Sequence, residues 1–269
     1  MKARLMTIDF HTHAFDESIA PQALQKLAET GGALVPHTDG TIAGLERMLS
    51  AEPEARAVVL PIATKHSQMH RINDWAAASR TERIEVFGSI HPTAPDALEE
   101  LERIDELGLK GIKLHPEYQQ FNVDDDCLRK VYRKTAKLGL ITVFHAGWDI
   151  GFPPPVHCTP AQLKRALPAF DGAPVVAAHF GGYMMWEEVL DKLCGLPLYF
   201  DTAYSHSRVI IPLAQRIIER HGADRILFGS DSPWSDFALE RALIDSLALT
   251  EAERELIFYK NAERLLGWA

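Results

Sequence analysis

His11-Thr12-His13 closes an apolar run that begins at Leu5. Two imidazoles two residues apart on a strand point the same way, about 6.6 Å apart along the backbone and able to converge on one ion. Further ligand-type residues close later apolar runs: His91, His115, His145 and His179, with Asp231 in Phe228-Gly229-Ser230-Asp231-Ser232-Pro233. His-x-His alone is common, and its weight here comes from that recurrence. Imidazole and carboxylate together suit a borderline divalent ion, and a site with an open position for water suits catalysis rather than structure. Zn2+ is the expected metal, with Mn2+ or Fe2+ as alternatives; one ion is favoured over two. Such an ion lowers the pKa of bound water to about 7, and a nearby carboxylate can take or return its proton.

Residues scattered over most of the chain share one site only if the fold gathers them. Short β-branched runs at 5–10, 57–61, 84–90, 111–114, 141–145, 175–179, 198–201 and 226–229 alternate with helical patterns, the signature of βα units around a parallel sheet. Eight such runs favour an α/β fold of the (β/α)8 TIM-barrel type, one domain over 1–269, rather than a doubly wound sheet with a glycine-rich first turn. In a barrel the C-terminal ends of all strands face one mouth, where the active site lies. Local signals agree: Pro95 and acids open a helix that Gly108 stops, Thr250 is a candidate N-cap, and Asp124-Asp125-Asp126 reads as a cap before Cys127. Pro153-Pro154-Pro155 reads as a loop over the mouth.

The ordered set Ile8-Asp9-Phe10-His11-Thr12-His13, Gly111-Ile112-Lys113-Leu114-His115-Pro116, Phe144-His145-Ala146-Gly147, Ala178-His179-Phe180-Gly181-Gly182 and Leu227 to Pro233 resembles the successive motifs of the amidohydrolase superfamily. The branch it is most similar to contains aminocarboxymuconate semialdehyde decarboxylase and other metal-dependent TIM-barrel hydrolases; the ending Asn261-Ala262-Glu263-Arg264-Leu265-Leu266-Gly267 is also similar. The resemblance implies that His11, His13, His145 and Asp231 hold the metal. It implies that His179 stands beside the metal-bound water, or binds a second ion, and that Asp231 shuttles the proton. It makes a homodimer plausible.

Lys113 leaves two readings open. In binuclear members of the superfamily a lysine at a similar place is carboxylated and bridges two metals; otherwise it is a free ammonium that attracts an anionic substrate. His115 shares its parity, so both face the mouth if the strand extends that far; His91-Pro92 repeats the pattern after the third run. Substrate contacts are expected from His115, Tyr118, Trp148, Tyr204 and Trp234, with Gln119, Phe121, Asp149 and His206 beside them and Arg208 as a candidate carboxylate partner or a solvated cation. His66 and His70 read as a surface pair, since no Glu completes a zincin motif.

Composition narrows the partners. A formal net charge of -9 over 269 residues argues against a broad basic surface for nucleic acid. No run of 18 apolar residues predicts a membrane span. No signal-peptide pattern precedes Asp9, and the odd count of three cysteines fits a reducing compartment, so a soluble cytoplasmic enzyme with a small-molecule substrate is expected.

Four functions compete. The first is metal-dependent hydrolysis of an amide, ester or lactone of a small, carboxylated substrate. The second is nonoxidative decarboxylation, which needs a carboxylate clamp; no arginine stands beside the core motifs. A catalytically inactive metal-binding protein is disfavoured because no ligand position is lost. A TatD-like nuclease is disfavoured by Lys113, which stands where a carboxylate is expected, and by the acidic charge.

Overall fold

The computed structural model describes residues 6–32 and 34–268. Each predicted run overlaps one observed strand: β1 (Thr7–Thr12), β2 (Ala55–Val59), β3 (Ile84–Val86), β4 (Gly111–Leu114), β5 (Ile141–Phe144), β6 (Val175–Ala177), β7 (Tyr199–Asp201) and β8 (Ile226–Leu227). Leu5, the predicted start of the first run, lies outside the described residues. Paired strands are all parallel. Two seams close the ring. Gly88 N–H donates to Gly111 O at 2.8 Å and Lys113 N–H to Gly88 O at 3.0 Å, joining β3 to β4; Phe10 N–H donates to Phe228 O at 2.8 Å, joining β1 to β8. The result is an eight-stranded (β/α)8 barrel, filled by Ile8, Phe10, Val58, Val143, Val176 and Leu227.

The first strand is not regular. Its register against β2 slips between Asp9 and Thr12. Phe10 therefore packs in the barrel interior while the next residue, His11, also reaches the mouth, a reversal of alternation that a β-bulge permits.

Two helices separate β1 from β2: α1 (Ala20–Thr30) and α2 (Ile42–Ser50). Thr41 caps α2 by accepting Gly44 N–H, and α2 buries Leu45 and Leu49 against the barrel. After β2 comes α3 (Met69–Ala78), and after β3 comes α4 (Ala97–Glu106), which ends before Gly108 at φ +70° as its sequence requires. Thr250 and Glu253 form the expected reciprocal cap. The aspartate run behaves otherwise: Asp125 takes the Asn122 N–H and Asp126 pairs with Arg129, so neither caps the helix Arg129–Lys137 with its side chain. Cys127, Cys158 and Cys194 are free thiols. Among the described residues no helix is long and apolar enough to cross a membrane.

Candidate metal centre

His11 Nε2, His13 Nε2 and Asp231 Oδ1 form a triangle with edges of 3.2, 3.2 and 3.1 Å. Donors held about 2.1 Å from one ion stand about 3.0 to 3.4 Å apart in octahedral and tetrahedral cages, so the triangle has the size of a ligand face. The far side of each ring sets the tautomer. His11 Nδ1 lies 2.8 Å from Asp201 Oδ2 and His13 Nδ1 lies 2.9 Å from Leu60 O. Both partners can only accept, so both Nδ1 atoms carry the proton and both Nε2 lone pairs face inward. Asp201 is itself fixed, its Oδ1 accepting His179 N–H at 2.9 Å and Ala203 N–H at 3.1 Å.

Electrostatics point the same way. Burial, with Lys113 nearby, pushes the His11 imidazolium well below its usual range, leaving a neutral donor. Burial alone would raise Asp231, but positive charge at the His13 and His11 Nε2 positions, a proton or an ion in its place, outweighs it and holds the carboxyl at about 2. Two imidazoles whose Nδ1 atoms are tied to acceptors, and a carboxylate, are the donor set a divalent ion takes, so these residues fit the metal the resemblance implies.

A second half of the mouth stands opposite. Lys113 is 1% exposed and its Nζ lies 3.2 Å from His11 Nε2. Burial, against the pull of Asp201 and Asp231, brings this ammonium down to about 8. His179 Nε2 faces His145 Nδ1 at 3.1 Å, while His179 Nδ1 donates to Ala203 O at 2.9 Å. His145 falls in a different group from the His11, His13 and Asp231 triangle, with His115 and Asp149. Its ring stacks on His115 at 4.2 Å, and Asp149 Oδ2 stands 3.3 Å from His115 Nε2 and 3.8 Å from His145 Nε2.

Backbone strain is concentrated here. His179, Phe180, Tyr204 and Asp231 all occupy the left-handed region, at φ +61°, +54°, +54° and +68°. Each such residue costs of the order of 1–3 kcal/mol, and the surrounding structure must hold it. It does: Asp231 N–H donates to His11 O at 2.7 Å, and Trp186 Nε1–H donates to His179 O at 3.0 Å. Gly229 leaves the room His11 needs, since a Cβ there would come within 2.9 Å of the His11 Cβ.

A cavity of about 720 Å³ opens from the centre. His11, His13, Lys113, His145, His179 and Asp231 border it, and so do His115, Tyr118, Trp148, Tyr204 and Trp234. Other expected contacts do not. His91 is turned into a contact with Thr93 and the His66 ring. Gln119 ties Ala63 O and Ile90 O together, and Phe121 is buried in the core. His206 borders a separate depression. Arg208 is not simply solvated: it donates to the Tyr183 and Tyr204 hydroxyls at 3.1 and 2.6 Å and stacks on the Tyr204 ring. His66 and His70 take separate partners.

Sequence reasoning missed Asp201 and Tyr183. For Asp201 a signal existed, a carboxylate at the C-terminal end of an apolar strand, where barrel chemistry sits. For Tyr183 none did, because only folding returns it beside His179, their rings 6.1 Å apart.

Solved structures share this fold along nearly the whole chain. A 2,6-dihydroxybenzoate decarboxylase complexed with 2,6-dihydroxybenzoate is 18% identical at a TM-score of 0.73, covering 98% of this chain and 100% of its own. A 5-carboxyvanillate decarboxylase from Novosphingobium aromaticivorans, with bound manganese and a nitrobenzoic acid, is 13% identical at 0.70, covering 98% and 97%. A probable 2-pyrone-4,6-dicarboxylic acid hydrolase from Acinetobacter baumannii, with citric acid bound, is 17% identical at 0.67, covering 98% and 100%. At these identities the likeness is one of fold. No curated relative matches the chain in sequence. The family model described as amidohydrolase matches residues 8–268, and the chain belongs to that family.

Proposed function

We propose that the protein is a metal-dependent hydrolase acting on a C–O or C–N bond of a small, carboxylated ester, lactone or amide. The observation that carries this reading is Asp231, a carboxylate held ionised within 3.2 Å of two imidazole nitrogens whose lone pairs face it. In the proposal His11, His13 and Asp231 hold the ion, His145 joins them as a further ligand by turning from its group with His115 and Asp149, and the ion would supply Lewis acidity and an acidified water. Zn2+ is the first choice and Mn2+ the second.

The chain's own groups do the rest. Asp231 takes the proton of the attacking water and returns it to the leaving group. His179 is fixed by Ala203 O so that Nε2 faces the mouth, where it orients the water or the carbonyl. Lys113, buried beside His11, attracts the substrate's negative charge as a free ammonium. His115, Tyr118, Trp148, Tyr204 and Trp234 form the walls that hold the substrate.

A second reading, nonoxidative decarboxylation, is supported by Lys113, a buried cation able to clamp a carboxylate, and by the fold shared with two decarboxylases. One screen separates the two. Metal-reconstituted protein is offered lactones, esters, amides and hydroxybenzoates, with carbon dioxide scored apart from acid release. Chelator-sensitive acid release supports hydrolysis; chelator-sensitive carbon dioxide release with no acid release overturns it in favour of the second reading.

A further inference from the structure

The cavity is larger than the metal mouth. From the centre it runs on between α1 and α3, where Ala23 and Leu27 of α1 face Ile72 and Trp75 of α3, with Ile19 and Leu34 beside them. α2 sends Leu45 and Leu49 into the main hydrophobic core, whereas α1 buries only Ala20 and Leu24. Its second apolar face, with Ala23 and Leu27 one turn apart, is a wall of the cavity. Opposite, Gln68, Ile72 and Trp75 fall on one face of α3 and the turn before it. The same arm gathers Lys26, Lys65 and Arg71 against one carboxylate, Asp16, in a chain whose net charge is -9. At about 720 Å³ the whole cavity lies in the range that encloses drug-sized ligands, beyond what a single-ring acid fills.

We propose that this arm is a binding subsite for an apolar chain or ring borne by an anionic substrate, away from its reacting group. The proposal rests on the reading of the mouth as the reacting end. The occupant is an amphiphilic acid: its head lies at the metal centre, its apolar body lies between Leu27 and Trp75, and the basic rim of Lys26, Lys65 and Arg71 favours its charge.

The test is calorimetric titration of the metal-loaded protein with butyrate, hexanoate, octanoate and decanoate. Each methylene that enters the arm is expected to lower Kd about two- to fourfold. Leu27→Trp, which fills the arm, is expected to flatten that slope; Ala23→Met, on the same face of α1, acts in the same direction if the larger residue is not tolerated. Arg71→Gln is expected to raise Kd for octanoate a few-fold at low salt and to lose that effect at high salt. Equal affinity from butyrate to decanoate, or an unaltered slope in both α1 variants, overturns the proposal. Binding is read without turnover. A steep slope with no turnover of any substrate fails the catalytic reading alone, and a flat slope with turnover of short substrates fails the subsite alone.

Discussion

Asp201→Asn changes one atom of the protein, and the structure dictates where that atom goes. Asp201 Oδ1 accepts two backbone N–H groups, from His179 and Ala203, so the amide oxygen must take that position. The amide nitrogen is then forced towards His11 Nδ1, the place that Oδ2 occupies at 2.8 Å. An NH2 group there can only donate, so Nδ1 becomes the acceptor and the ring proton moves to Nε2, the atom that faces His13 and Asp231. Metal binding must expel that proton or break the new hydrogen bond. Loss of such a supporting partner typically weakens metal binding 10- to 100-fold, about 1.4 to 2.7 kcal/mol. Stability should not follow. Burial raises the Asp201 carboxyl above its usual range, so its charge is held at a loss and a neutral amide relieves it. The assay is competition of the purified variant with a metal-buffering chelator, paired with thermal unfolding of the metal-free protein. A variant that binds metal within twofold of the parent, with its fold intact, would refute the tautomer argument.

Three further outcomes follow from the same geometry. Asp231→Asn is expected to retain the fold and lose at least about 100-fold in kcat, the lower range for general acid–base groups; full activity would remove the proposed proton shuttle. Metal analysis at saturating bicarbonate is expected to find one equivalent of ion, with Lys113 a free amine; two equivalents would favour the carboxylated bridge. His221 lends itself to a pH test remote from the site. Its Nε2–H donates to Leu198 O and its Nδ1 accepts Gly195 N–H, so a second proton would face a donor, and burial brings its pKa to about 4. The unfolded chain binds that proton first. Stability should therefore be full above pH about 6.5 and fall by up to about 3 kcal/mol as the pH drops towards 4. In His221→Gln that part of the pH dependence of Tm is expected to vanish, and parallel Tm curves for the two proteins would count against it.

The barrel was readable because its strands are buried on both faces and so stand out as short β-branched runs, and because eight of them admit few closures. The candidate ligands were readable because each ends or closely follows such a run. His11, His13 and Asp231 needed only the rule that strand ends share a mouth to be placed together.

Other features belong to three dimensions alone. Alternation along β1 places Phe10 and His11 on opposite faces; the register slip after Asp9 overrides it, and a slip depends on the partner strand. His91 and His115 follow strands in the same His-Pro pattern, yet only His115 reaches the cavity, because His91 is turned away by Thr93 and His66. The tautomers of His11, His13 and His179 depend on Asp201, Leu60 and Ala203, acceptors far from them in the chain. Sequence by itself determined which residue types stand at the strand ends, since burial of a strand leaves a local pattern. Tertiary structure decided which nitrogen faces the mouth, which histidine reaches it and where the cavity extends, since those depend on partners that folding alone brings within reach.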